Sequence, residues 1–218
     1  MAAFGGKTMI PEYKVIQEIK PSGLEGISDA QISDHWTLYQ GYVTQVNKLS
    51  NQLMQLRNDG GTDLPIYSDR RRRYGFELNG MVLHEYYFSN LTADKDRRKF
   101  HDLASPLRQA FEQTWGSFEN WKKDFQSAGK TRGIGWAILY ADLQEKRLSN
   151  HFIAEHENGH IAGWSPILVL DVWEHAYMVD YRSGGRADYI NAFFCNIDWQ
   201  KVQERYLTLL KGKISSRV

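Results

Sequence analysis

Residues 166–177 read Pro166-Ile167-Leu168-Val169-Leu170-Asp171-Val172-Trp173-Glu174-His175-Ala176-Tyr177. The first five form a continuous apolar run, the length of a buried strand rather than of a helix. An Asp directly after such a run is costly to bury unless a cation, hydrogen bonds or a metal ion takes up its charge. His175 follows four residues on, so a hard oxygen and a borderline nitrogen leave one strand-to-helix junction together. Mixed imidazole and carboxylate ligation suits iron, manganese or zinc rather than copper(I).

Working upstream from this junction, residues 134–143 and 147–155 are also strand-like in composition and length, and Asn158-Gly159 is a strong turn signal. Three short antiparallel strands are the expectation. Further upstream the period changes. Ile32, Trp36, Tyr39, Val43, Val46, Leu49, Leu53 and Leu56 recur every three or four residues, after the capping pair Ser28-Asp29 and before the stop at Asn58–Gly61. A second helical stripe spans about 70–91, with Phe76, Gly80, Leu83, His84, Tyr87, Phe88 and Leu91. About a dozen residues join the two, which predicts an antiparallel helical hairpin with His35 and His84 on its inward faces. Residues 94–104 read as a short charged helix, 105–126 as one helix, and 187–194 and 199–211 as closing helices. The fold class is therefore α+β: a loose arm (1–27), a helical hairpin domain (28–92) and an α/β domain with a three-stranded antiparallel sheet (93–218).

Composition narrows the chemistry. In 218 residues there are 27 Lys and Arg against 26 Asp and Glu, a balance that argues against a bulk polyanion binder. Cys195 is the single cysteine, so an intrachain disulfide and a four-Cys metal site are both impossible, and the seven His must supply any metal site together with carboxylates. No apolar run approaches the roughly 18–20 residues that span a bilayer. The expectation is a cytoplasmic protein without a membrane or nucleic-acid partner. Arg70–Arg73 could meet phosphate, but such a run reads more simply as a solvated helix face. His156-Glu157-Asn158-Gly159-His160 spells the H-E-x-x-H of zinc hydrolases. That chemistry needs a helix, and Asn-Gly is a turn-former and a poor helix interior. A zinc hydrolase using His156, Glu157 and His160 is the alternative enzyme reading.

Asp171–Tyr177 resembles the C-terminal signature of the iron/manganese superoxide dismutase family. Gly133-Ile134-Gly135-Trp136-Ala137 resembles the family's Gly-x-Gly-Trp strand start, and Pro166-Ile167-Leu168 the strand that leads into the signature. Asp198-Trp199 with Glu204-Arg205-Tyr206 resembles its closing helix, Gly80–His84 with Phe88 its second helix, and 28–47 its first. The resemblance implies dismutation of superoxide by one iron or manganese ion per subunit. The chain's departures from the family pattern, not the resemblance itself, tilt the expectation towards iron. It implies His35, His84, Asp171 and His175 as ligands, with solvent as the fifth. Trp136, Trp173 and Tyr177 would enclose the ion. Glu174 would reach the partner subunit of a homodimer, with a tetramer possible. The chain also departs from the family pattern. His156 stands near the sheet position of a Gln that bonds the coordinated solvent. Tyr39 replaces the gateway His, and Tyr42 is the gateway Tyr although the spacing from His35 is one residue short. Met178 replaces an interface Tyr. A non-catalytic metal-binding relative of the same fold is the companion alternative.

Overall fold

The computed structural model describes residues 11–212 apart from 103, 104, 143 and 146, so the ends of the arm and of the C-terminal domain, 1–10 and 213–218, lie outside the described residues. Helix α1 (Asp29–Asn58) starts where Ser28 Oγ accepts the Gln31 N–H at 3.0 Å. That bond satisfies one of the N–H groups a helix start leaves unpaired. The apolar stripe from Ile32 to Leu53 is buried as its spacing requires. Helix α2 (Pro65–Ser89) begins earlier than the expected residue 70. Pro65 opens it: in the first turn its missing N–H costs nothing and its fixed φ suits the helix. The two helices pack as the predicted hairpin, with His35 and His84 fully buried.

The expected single helix at 105–126 is two, α3 (Ser105–Trp115) and α4 (Phe118–Gly129). Gly116 between them takes φ +75°, which a side chain disfavours, and Ser117 Oγ caps α4 through the Asn120 N–H at 3.1 Å. The expected charged helix at 94–104 is, among the described residues, a set of turns ending in the 3₁₀ turn Phe100–Asp102. It has few apolar positions at helical spacing, and so little to bury as a helix.

Strands β1 (Gly135–Asp142), β2 (Arg147–Ala154) and β3 (Ser165–Asp171) form one antiparallel sheet in the order β2-β1-β3. β1 is central and buried along its whole length. Its register sets Trp136 opposite Ile153 on one side and Asp171 on the other. Helix α2 packs on β3, and α3 and α4 pack on β2. The expected turn at Asn158-Gly159 lies slightly earlier. The chain reverses at Glu155–Glu157, and Ala154 and Asn158 exchange backbone hydrogen bonds of 2.9 and 3.1 Å. After β3 come a 3₁₀ turn at Glu174–Ala176, α5 (Met178–Tyr181), α6 (Arg186–Cys195) and α7 (Trp199–Lys211).

The described part of the arm, 11–27, is not loose. The Tyr13 backbone exchanges two hydrogen bonds of 2.9 Å with the Asn47 side chain, and the Ile16 N–H donates to Tyr39 Oη at 3.1 Å. Every one of these partners lies on α1, beyond the reach of local pattern reading. Among the described residues no helix is long and apolar enough to cross a membrane.

Candidate metal centre

Four side chains from four elements meet at one point: His35 on α1, His84 on α2, Asp171 at the end of β3 and His175 in the 3₁₀ turn after it. The Nε2 atoms of His35, His175 and His84 lie 3.1, 3.2 and 3.7 Å from Asp171 Oδ2, and one ligand atom from each residue falls within 4.8 Å of the others. Except for His175, whose side chain is 18% exposed, the set is closed to solvent.

Local bonds hold each member. His84 Nδ1 donates to the Gly80 carbonyl at 2.6 Å, which leaves Nε2 as the bare nitrogen aimed into the cluster. That buried Nε2 has no hydrogen-bond partner. Asp171 Oδ1 accepts the Trp173 N–H at 2.8 Å, which keeps Oδ2 for the cluster. Tyr189 Oη bonds the Asp171 carbonyl at 2.9 Å. Gln31 donates from Nε2 to the His175 carbonyl at 2.7 Å and accepts the Val179 N–H on Oε1 at 3.0 Å, tying the turn after β3 to α1.

Burial pushes the His84 imidazole well below its usual range, and the neighbouring His35 adds to that. Burial lowers His35 as well, against the opposing pull of Asp171. For Asp171 burial alone would raise the carboxyl, but the His175 and His35 imidazoles outweigh it and hold the group ionised. Neutral imidazoles with one carboxylate are the protonation states a divalent or trivalent ion needs. A buried, bare, unpartnered Nε2 beside an anionic oxygen fits such an ion.

A second group adjoins the ligands. Trp136 Nε1 donates to His156 Nδ1 at 3.0 Å, and His156 Nε2 lies 2.7 Å from Tyr42 Oη. An indole N–H can only donate, so Nδ1 is the acceptor and the neutral ring carries its proton on Nε2. His156 therefore donates to Tyr42, and the Tyr42 O–H is left to donate elsewhere. Burial keeps His156 neutral, lowering it to about 4, and raises the Tyr42 hydroxyl. The Tyr42 ring reaches this position because Gly80 has no side chain; a Cβ there would lie 2.7 Å from ring carbons of Tyr42.

Aromatic rings close the surroundings. Trp136 packs edge-on to His84 at 5.1 Å between centroids, and Trp173 stacks on His156 at 4.8 Å and His175 at 5.7 Å. Tyr177 is one layer further out, stacked on Tyr189 at 5.4 Å. Tyr39, expected beside Tyr42 in the gateway, faces the other way. Its hydroxyl donates to Glu85 Oε1 at 3.0 Å and accepts the Ile16 N–H, and its ring packs on Trp36 and Phe88. Four helical residues separate Tyr39 from His35, whereas the ring that reaches His156 is the one seven residues on.

The HENGH segment is a turn, not a helix, so its two imidazoles do not share a helix face. Both nitrogens of His156 are bonded, and His160 bonds Tyr140 Oη through Nδ1 and the His156 carbonyl through Nε2. Neither offers a free nitrogen to zinc. The Arg run lies on α2, where Arg73 pairs with Glu77 at 2.6 Å and Arg71 stacks on Tyr67. Gln31 and Tyr189 were not singled out in the sequence, and Gly80 was named there only as part of the second helix, not for the space it leaves to Tyr42. A polar Gln31 within an apolar stripe was the one available signal, since buried amides need partners.

The family model described as iron/manganese superoxide dismutases, C-terminal domain, matches residues 103–205. The superoxide dismutase [Fe] of Aquifex pyrophilus is 34% identical over 199 residues, covering 89% of this chain and 91% of that protein. The chain belongs to the iron/manganese superoxide dismutase family. The superoxide dismutase [Fe] of Cupriavidus metallidurans is 32% identical, covering 90% of this chain and all of that protein. The superoxide dismutase [Mn] of Haloarcula marismortui is 34% identical, covering 79% of this chain and 81% of that protein.

Proposed function

We propose that this protein is an iron- or manganese-dependent superoxide dismutase, with His35, His84, Asp171 and His175 as its metal ligands. The observation that carries the reading is the convergence of three imidazole Nε2 atoms on the buried Asp171 Oδ2. A bound ion that alternates between +3 and +2 supplies the one-electron chemistry by which two superoxide anions and two protons become dioxygen and hydrogen peroxide. The rest falls to the chain. Asp171 offsets positive charge at the centre, and burial favours the neutral form of His35 and His84. Tyr42, accepting from His156, keeps its O–H free to donate a proton to an arriving anion. Trp136, edge-on to His84, and Trp173, stacked on His175, shield the cluster and hold those rings in place.

Within this reading we favour iron, on the departure of His156 from the family's usual amide at that position. We also favour a homodimer. Glu174 is exposed, its side chain has no hydrogen bond or ion pair among the described residues, and it lies near exposed Met178 and Val179 in the sequence, next to the half-open His175. A cytoplasmic setting is the companion reading, supported by a chain with one cysteine and no disulfide. Elemental analysis of purified protein, with superoxide-removal assays on iron- and manganese-reconstituted samples, tests the function. Full metal loading with no activity in either form would leave a non-catalytic metal binder. Sedimentation or light scattering at micromolar concentration tests the dimer.

A further inference from the structure

His160 belongs to none of the groups described so far, yet it is bonded at both nitrogens. Nε2 lies 2.9 Å from the His156 carbonyl and Nδ1 lies 2.7 Å from Tyr140 Oη. A carbonyl can only accept, so Nε2 carries the proton, Nδ1 is bare, and the Tyr140 O–H donates to it. The chain of donation runs in one direction: Tyr140 to His160 to the His156 carbonyl. Burial raises the Tyr140 hydroxyl, which keeps it a donor throughout the ordinary pH range.

His156 needs such a support. It sits at the centre of the reversal Glu155–Glu157, outside any helix or strand, and is preceded by Glu155 at φ +53°, a conformation side chains disfavour. Its ring is held by Trp136 and its carbonyl by His160. Trp136 and Tyr140 both belong to β1 and are four positions apart, so they share a face of the central strand. The ring and the backbone of His156 are thus referenced to one rigid element.

We propose that His160, fixed by Tyr140, is a positioning residue that sets the His156 imidazole against Tyr42 and the metal centre. The proposal rests on the dismutase reading of that centre. It turns the HENGH segment from an accidental zinc motif into a brace in which the second imidazole orients the first.

The test uses iron-loaded full-length protein and the variants His160→Leu, His160→Gln and Tyr140→Phe. Metal content, thermal unfolding, the iron(III) electron paramagnetic resonance spectrum, and kcat and KM for superoxide are compared. Removing an outer partner of a metal site costs roughly ten- to a hundredfold. His160→Leu should keep stoichiometric iron but shift the iron(III) spectrum and lower kcat about tenfold with KM little changed. His160→Gln, which keeps an N–H donor and an acceptor, should recover most of that loss. Tyr140→Phe keeps the ring and removes one hydroxyl, so it decides the matter if His160→Leu fails to fold; it should show the same spectral shift to a smaller degree. A wild-type spectrum and kcat in the variants that fold would overturn the proposal, as would a loss of kcat fully accounted for by lost iron. If wild-type protein with full iron has no activity, the dismutase reading fails, while the spectra still report whether His160 governs the centre.

Discussion

The Trp136 indole donates to His156 Nδ1 at 3.0 Å, and this one bond decides which nitrogen of His156 is protonated. With Nδ1 taken, Nε2–H must face Tyr42, and the phenol proton of Tyr42 is turned outward. Trp136→Phe keeps a ring against His84 but releases the tautomer. Turnover should fall about ten- to a hundredfold with metal content unchanged. Turnover equal to wild type in that variant would show that the tautomer does not matter.

His84 is the ligand whose replacement is easiest to read, because its bare Nε2 has no other partner. His84→Ala should leave the purified protein with sub-stoichiometric metal after dialysis, measured by elemental analysis. Stoichiometric metal in the variant would remove His84 from the ligand set.

Gly80 and Tyr42 should be strongly coupled. A Cβ on Gly80 lies 2.7 Å from the Tyr42 ring, so Gly80→Ala forces a shift that costs about 1–3 kcal/mol, as overpacking does. In a Tyr42→Ala background the clash is gone. The same change should then stabilise by up to about 1 kcal/mol, the ordinary preference of a helix interior for Ala over Gly. Denaturant titration of the four proteins of this cycle measures the coupling. Equal effects in both backgrounds would mean that the ring does not occupy this space in solution.

Acid should weaken the metal-free protein before it reaches the carboxylate range. His156, lowered to about 4 mainly by burial, takes up a proton later than the same group in the unfolded chain. The unfolded state then binds more protons, and stability present above pH ~6.5 is lost as pH falls toward ~4, by about 3 kcal/mol for this group. His35 and His84, also lowered, act in the same direction. The stability that the ionised Asp171 contributes survives this window, because its carboxyl is held below the usual range. Urea titrations from pH 7 to 4 should show the decline, and His156→Gln should make it shallower by the share of His156 alone.

Tyr39 and Tyr42 should separate cleanly. Tyr39 Oη joins the arm at Ile16 to Glu85, with burial pushing its hydroxyl up to about 12. Tyr39→Phe should speed proteolysis within 11–27 and leave turnover near wild type. Tyr42→Phe should do the reverse. Reduced turnover in Tyr39→Phe at equal metal content would return Tyr39 to the gateway.

The legible parts of the fold share one property: their signal is periodic and local. The α1 stripe from Ile32 to Leu53 and the apolar run before Asp171 each state which side is buried, because burial selects residues at the spacing of the backbone. The start of α2 was misplaced because Pro65 fits equally a loop and a first helical turn, and local sequence does not distinguish them. The break at Gly116-Ser117 was hidden because Leu107, Phe111, Trp115 and Phe118 continue the helical spacing across it.

At the site, the single Cys left only His and carboxylate donors, and Asp171 with His175 marked one junction after an apolar run; the full ligand set was what the family resemblance implied. Only the tertiary structure decided which residues complete the site. Tyr42 rather than Tyr39 reaches His156 because a helix turns about 100° per residue and Gly80 on the facing helix leaves room for one ring. Gln31 acts through His175, 144 residues away, and Tyr140 through His160, 20 residues away. Hydrogen bonds of that range leave no period in the chain, and they exist only once α1, β1 and the turn after β3 have been packed together.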